Sequence, residues 1–332
     1  MGLTAAQIEA HIKHWEGELG KTYRSYRDKW PSRLFHHAPL ENAANILTSG
    51  RLLSRTGVQN LGVKDVASQA VVQNNSAAHG FGRMYFRPRT PTQFHIEGVR
   101  KDAECFNNEL TAHAPILVML VFSARSVLSL EGTNFSTGNM QSSWTTYGPT
   151  FEDFQQIDFQ KVYHEGGTSG DHSIVTARCA EVLVSSPLPL QGNLQFILCR
   201  SQAERQTLLY ALGANSEQWV NFVRVSDDIQ VFQKEYCYVE EASISTRGVT
   251  LRLHPRADDA PILVQVEAVR ASTGHKAAQF GPAPLRAVPG GGKTQWLVEG
   301  TAALRPGDYD VRIWLEGHLA FASRLSIVPA PF

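Results

Sequence analysis

The chain has 332 residues, with 31 lysines and arginines balanced by 31 aspartates and glutamates. That length can bury two cores, and a neutral balance excludes a partner recognised through bulk charge alone. No apolar run is long enough to cross a membrane, and the opening MGLTAAQIEAHIKHWEGELGK carries charges where a secretion signal needs an apolar stretch. The sequence therefore reads as a cytoplasmic protein with no membrane partner.

Thr4 followed by Gln7 forms a capping-box pattern, and Ile8, Ile12, Trp15 and Leu19 then recur at helical spacing, which predicts an amphipathic helix within residues 1–30. Its basic continuation, KTYRSYRDKW, suits a solvated face or a phosphate contact. Next comes LFHHAPLENAANILTSG, residues 34–50. Pro39 fits the first turn of a helix, Leu40, Ala43, Ala44 and Leu47 make one apolar stripe, and Gly50 can close it in the left-handed conformation. The preceding strand then ends at His36 and His37. Alternation puts Leu34 and His36 on one face and Phe35 and His37 on the other, so only one histidine can face a given cleft.

GRMYFRPRTPTQFHIEGVRK interleaves Arg83, Arg87, Arg89, Arg100 and Lys101 with Tyr85, Phe86 and Phe94. Such a pattern suits single-stranded nucleic acid, where guanidinium groups meet phosphates and rings stack on bases; it equally suits a solvated edge strand. The runs PILVMLVFS and AEVLVSS read as strands among helical and loop-like stretches, a mixed α and β pattern. Glu181 stands at the entrance to the second run, either paired with Arg178 or functional. Cys105, Cys179, Cys199 and Cys237 lack C-x-x-C spacing, which predicts reduced core thiols and no metal site. SQAERQTLLYALG predicts a helix capped by Gly213.

After about residue 240 the texture changes to TLRLH, ILVQVEAV, TQWLVEG, YDVRIWLE and LAFASRLSIV, separated by Pro, Gly and Asp. Tyr309, Val311, Ile313 and Leu315 alternate with polar residues, and Gly317 sits in the turn before Leu319, Phe321, Ser323, Leu325 and Ile327, which predicts a hairpin with one buried face. LRPGDYDVRIWL is similar to the tyrosine corner of immunoglobulin-like sandwiches, so residues 241–332 are expected to form such a β-sandwich. PGGGKTQW resembles a phosphate-binding loop but has alanine at position 287 where that motif needs glycine, and reads as a hairpin loop.

Taken in order, LFHHAPLENAANILTSGRLL, MYFRPRTPTQF, FSTGNMQSSWTTYGPTFEDFQQIDFQ and ARCAEVLV resemble the successive motifs of the DarT-type ADP-ribosyltransferases. These toxins attach ADP-ribose from NAD to bases of nucleic acid. The resemblance covers about residues 31–200 and implies an α+β fold: an ADP-ribosyltransferase-like split β-sheet domain at 31–240, followed by the immunoglobulin-like β-sandwich. It implies NAD as co-substrate, and His36, Tyr85 and Glu181 as the catalytic set. His36, Asn42, Tyr85 and Phe86 would bind NAD, with Tyr85 stacking on nicotinamide and His36 hydrogen-bonding a ribose or the amide. Glu181 would stabilise an oxocarbenium-like transition state through the ribose 2′-hydroxyl and serve as base toward the acceptor. Arg83, Arg87 and Arg89, with Trp144 and Tyr147 of NMQSSWTTYG, would bind the nucleic acid and read the base.

One departure is chain-specific. The family's thymidine-modifying members carry an arginine between the first two motifs that assists chemistry at the acceptor, whereas TGVQNLGVKDVASQAVVQNNSAAHG has Lys64 as its only basic residue before His79. Arg55 and Arg83 flank the interval as substitutes, and the choice of base, in DNA or RNA, stays open. The implied function is a NAD-dependent mono-ADP-ribosyltransferase of single-stranded DNA or RNA acting as a toxin or anti-phage effector. An antitoxin or a phage component would be its partner, and the C-terminal sandwich a recognition module. The alternatives are a catalytically silent nucleic-acid-binding protein of the same fold and a protein-modifying ADP-ribosyltransferase.

Overall fold

The computed structural model describes residues 2–22, 25–58, 79–105, 110, 113–140, 142–287 and 304–329. Lys64 and its flanking interval 59–78, together with the PGGGKTQW and TQWLVEG readings, lie outside the described residues. The chain divides into two compact units: Met1–Ile96, Val118–Leu198 and Ser226–Gln233 form the first, and Glu97–Leu117, Cys199–Val225 and Lys234–Phe332 the second.

In the first unit, the helix Ala5–Gly20 begins at the expected capping box, with the Gln7 amide N–H donating to the Thr4 hydroxyl at 3.3 Å and the Gln7 side chain accepting from the Thr4 amide at 2.9 Å. Ile8, Ile12 and Leu19 are buried, and Trp15 packs on Phe159 and Tyr163. The continuation of the helix is tied down rather than solvated throughout. Trp30 is fully buried and donates its indole N–H to the Ile229 carbonyl at 2.9 Å, with the Arg87 guanidinium 5.2 Å over its ring.

Strands of this unit lie side by side in the order Leu194–Cys199, Leu117–Ser123, Arg33–Pro39, Phe81–Tyr85, Glu181–Ser185, Asn134–Ser136 and Tyr147–Gly148. Leu117 through Phe122 are fully buried, which explains why that run is continuously apolar instead of alternating. Register fixes the rest: Phe35 lies opposite Tyr85, and Tyr85 opposite Glu181. The helix Leu40–Ser49 buries Leu40, Ala43 and Leu47 and ends at Gly50, whose φ of 66° is the left-handed cap read from sequence.

The second unit contains the helix Gln202–Leu212, capped by the Ser201 hydroxyl at its start and by Gly213, at φ 53°, at its end. It also holds an antiparallel sheet ordered Lys276–Leu285, Ile262–Arg270, Gly307–Leu315, His318–Ile327, and a hairpin of Val239–Ser245 with Gly248–Leu253. Val249, Leu251 and Leu253 of the hairpin share one apolar core with Val264, Val266, Val311, Ile313 and Phe321 of the sheet. The Tyr309 hydroxyl donates to the Arg305 carbonyl at 2.7 Å, the local hydrogen bond of a tyrosine corner. Two longer strands of this unit are among those that escaped the sequence reading. Val239–Ser245 carries adjacent glutamates and, after the buried Val239, alternates half-buried with exposed, while Lys276–Leu285 is a largely exposed edge interrupted by Gly281 and Pro282.

The architecture is therefore mixed α+β, with antiparallel sheets at the C-terminal end. Among the described residues no helix is long and apolar enough to cross a membrane, and no group of three or more histidines, cysteines, aspartates or glutamates is arranged to hold a metal. All four cysteines are unpaired and buried.

Candidate active site

Three neighbouring strands bring the chemistry together. A turn through Ala177–Ala180, with the Ala180 amide donating to the Ala177 carbonyl, delivers Glu181 as the first residue of its strand. Tyr85 ends the adjacent strand directly opposite. Paired residues project from the same face, and Arg83, two residues before Tyr85, shares that face, so its guanidinium can reach Glu181 diagonally. It does so with two bonds, Nε to Oε2 at 2.8 Å and Nη2 to Oε1 at 2.5 Å.

Glu181 is 1% exposed, and a carboxylate so placed requires a cation to offset its lost hydration. That cation is Arg83, 98 residues away, and not Arg178, which bonds the His164 ring and the Gly166 carbonyl. Burial works against the Arg83 charge, but the Glu181 carboxylate more than offsets it and raises the guanidinium above its usual range. Burial, reinforced by Glu181, also holds the Tyr85 phenol protonated. Thr92 hydrogen-bonds the Tyr85 hydroxyl and lies 3.8 Å from the Cys179 sulfur, whose thiol burial pushes up to about 11.

The two histidines take different places. His36 donates from Nδ1 to the Arg83 carbonyl at 2.8 Å, and burial lowers its pKa, so the ring is neutral with Nε2 as an acceptor. An acceptor nitrogen there suits a ribose hydroxyl or an amide N–H. The His37 ring lies parallel to Tyr85 with centroids 5.3 Å apart, and burial, reinforced by the nearby Arg83 charge, lowers its pKa to about 3. Both rings thus adjoin Arg83. Asn42 lies half-buried in the first turn of the Leu40–Ser49 helix.

Sequence reasoning passed over Ser136. Its hydroxyl accepts the Glu181 amide N–H at 2.9 Å and donates to the Gly138 carbonyl at 2.9 Å, at the end of a strand whose register already pairs Phe135 with Val182. The side chain continues a ladder that the backbone leaves, and no local signal marks such a substitution. The same hairpin carries Tyr147, opposite Ser136, and Trp144 at its tip. Trp144 is 89% exposed and Tyr147 41%, unusual for large aromatic rings.

The remaining predicted residues lie elsewhere. Phe86 is in the interior, edge-on to Phe159 and Phe154. Arg87 is buried and donates to the carbonyls of Pro88, Val162 and His164 and to Glu165. Arg89 is half-buried between Tyr26 and Glu165. In the second unit Arg100 bonds the Tyr236 hydroxyl at 2.6 Å and stacks on its ring. The basic and aromatic segment therefore gives most of its arginines to internal contacts.

A family model described as ssDNA thymidine ADP-ribosyltransferase, DarT, matches residues 35–231. Among solved structures, Thermus sp. 2.9 DarT in complex with ADP-ribosylated ssDNA is similar at 20% identity, covering 60% of this chain and 96% of that one with a TM-score of 0.48. The same Thermus protein in complex with NAD+ matches at 19% identity, over 60% and 97% of the two chains, with a TM-score of 0.45. Thermosipho africanus DarTG in complex with ADP-ribose matches at 14% identity, over 67% of this chain and 55% of that one, with a TM-score of 0.44. No curated protein matches the chain.

Proposed function

Since the chain belongs to the DarT family, we infer that it is a NAD-dependent ADP-ribosyltransferase that modifies a base of single-stranded DNA, with thymidine as the first candidate. The observation that carries this reading is the row Phe35, Tyr85, Glu181 across three adjacent strands, with Arg83 and His37 on the same face and the His36 ring bonded to the Arg83 carbonyl.

The chemistry follows from those groups. His36 Nε2 accepts a hydrogen bond from NAD, while the Tyr85 ring, partly covered by His37, packs against nicotinamide. Glu181 binds the ribose 2′-hydroxyl once one of its bonds to Arg83 is exchanged. The nicotinamide–ribose bond then breaks with its electron pair leaving on nicotinamide, and the carboxylate stabilises the oxocarbenium charge at C1′. A nitrogen of the acceptor base attacks C1′ and its proton passes to Glu181. Arg83, freed on one side, faces the acceptor and stabilises the negative charge that develops on the base. The exposed rings of Trp144 and Tyr147 hold that base unpaired.

We assign the transferase to residues 31–240, with the helix of 1–30 as an addition, and 241–332 to an immunoglobulin-like sandwich that recognises a partner. The tyrosine corner at Tyr309 and the core shared by hairpin and sheet support the sandwich. A toxin role with an antitoxin as partner, inside the cytoplasm, is the biological setting that fits. Nicotinamide release tests the reading: single-stranded oligothymidylate should accelerate it well above the rate with duplex DNA or RNA. Equal rates with and without any nucleic acid would overturn it, and label appearing on protein would favour the protein-modifying alternative.

A further inference from the structure

Away from Glu181, four arginines gather around the consecutive residues His164 and Glu165. Glu165 is 2.7 Å from Arg87 and 3.5 Å from Arg89, feels the charge of Arg178, and accepts the Tyr26 hydroxyl at 2.9 Å. Arg27 joins them by donating to the Tyr163 carbonyl at 2.8 Å. Arg87 is fully used in pinning the chain at 162–165. The other three are not: Nε of Arg27, Arg89 and Arg178 is in each case buried and without a hydrogen-bond acceptor among the described residues. Positive charge and buried donors thus exceed what the one carboxylate satisfies.

The backbone beside them is shaped for a ligand. Arg89 is held at φ 57°, a strained value for a residue with a side chain, which is maintained where the position of that side chain matters. Arg178 is anchored by Nη2 to the neutral His164 ring at 2.6 Å and to the Gly166 carbonyl at 2.7 Å. Gly166 and Gly170 take positive φ, at 96° and 84°, and nothing lies within 4 Å of a Cβ built on Gly166, Gly167 or Gly170. An open glycine loop next to convergent guanidinium groups offers an anion both charge and space.

We propose that Arg27, Arg89 and Arg178, with the loop of residues 164–170, bind a phosphate group. Resting on the transferase reading above, the phosphate is either in the diphosphate of NAD or in the backbone of the acceptor strand. Titrating the full chain with ADP and, separately, with a short oligothymidylate at low salt distinguishes the two. In the double variant Arg89→Gln, Arg178→Gln, at least one probe should bind about tenfold more weakly or worse. Loss for ADP alone assigns the cofactor diphosphate. Loss for the oligonucleotide alone, with a shallower salt dependence by about one unit per arginine removed, assigns the acceptor strand. Both probes binding within about twofold of the unchanged chain would overturn the site. If the double variant does not fold, Arg89→Gln alone, at a side chain 24% exposed, supports the same comparison. Neither titration needs turnover, so a chain that binds as expected yet never releases nicotinamide would defeat the transferase reading and leave this site standing.

Discussion

The Arg83–Glu181 pair is asymmetric, because the glutamate side chain is 1% exposed while the arginine side chain is 31% exposed. Removing Arg83 strands a buried charge; removing the charge of Glu181 leaves an arginine that water can still reach. Arg83→Ala should therefore destabilise the fold by about 1–3 kcal/mol, less than the roughly 3–5 kcal/mol lost when a fully buried pair is broken, whereas Glu181→Gln should lose less, as measured by chemical denaturation. The order reverses for catalysis. Glu181→Gln should reduce transfer by about a hundredfold or more while NAD binding stays within a few fold, and an active Glu181→Gln enzyme would remove the carboxylate from the mechanism. A pH effect follows from His37 and His11, both held near a pKa of about 3 by burial, against 6.5 when free. Between those values the unfolded chain binds protons that the folded chain does not, so stability falls as pH drops from 6.5 toward 3. A melting temperature that stays level from pH 7 to pH 4 would contradict this. None of these pairings was readable in sequence: Arg83 and Glu181 are 98 positions apart, and local spacing pointed to Arg178 instead.

At the scale of elements, signals confined to one turn translated directly. The Thr4–Gln7 capping box, the left-handed Gly50, the Gly213 cap and the Tyr309 corner all depend on residues within four positions of one another. Gly50 gives a clean test, since nothing lies within 4 Å of an added Cβ and only φ is strained. Gly50→Ala should lose about 1 kcal/mol of stability with kcat unchanged. Ser136→Ala should behave in the opposite way. It leaves the buried Glu181 amide without its acceptor and frees the Trp144 hairpin at Gly138, so kcat should fall several-fold more than KM for NAD changes, with partial rescue in Ser136→Thr. Equal loss in kcat and melting temperature for both serine variants would mean a purely structural role. Ser136 was illegible beforehand because its importance comes from a strand pairing that ends, a tertiary event.

For the whole molecule, sequence texture suggested a boundary near residue 240, yet the second compact unit also takes in Glu97–Leu117 and Cys199–Val225. Its core includes Val99, Ala203 and Cys237 together with the strands beyond 240. Composition changes along the chain mark where strands begin, but not which earlier segments return to pack with them. A chain ending at residue 240 should therefore expose those apolar residues and aggregate, instead of persisting as a free transferase; a monodisperse, active product would show that the C-terminal strands are dispensable. Transfer of ADP-ribose to a base by the group at Glu181 can be followed by mass spectrometry of single-stranded DNA oligonucleotides after incubation with NAD and either the unchanged chain or Glu181→Gln. The unchanged chain should add one ADP-ribose to a base, thymine first, and the variant none; no adduct on any oligonucleotide, or equal adducts with both proteins, would overturn the assignment.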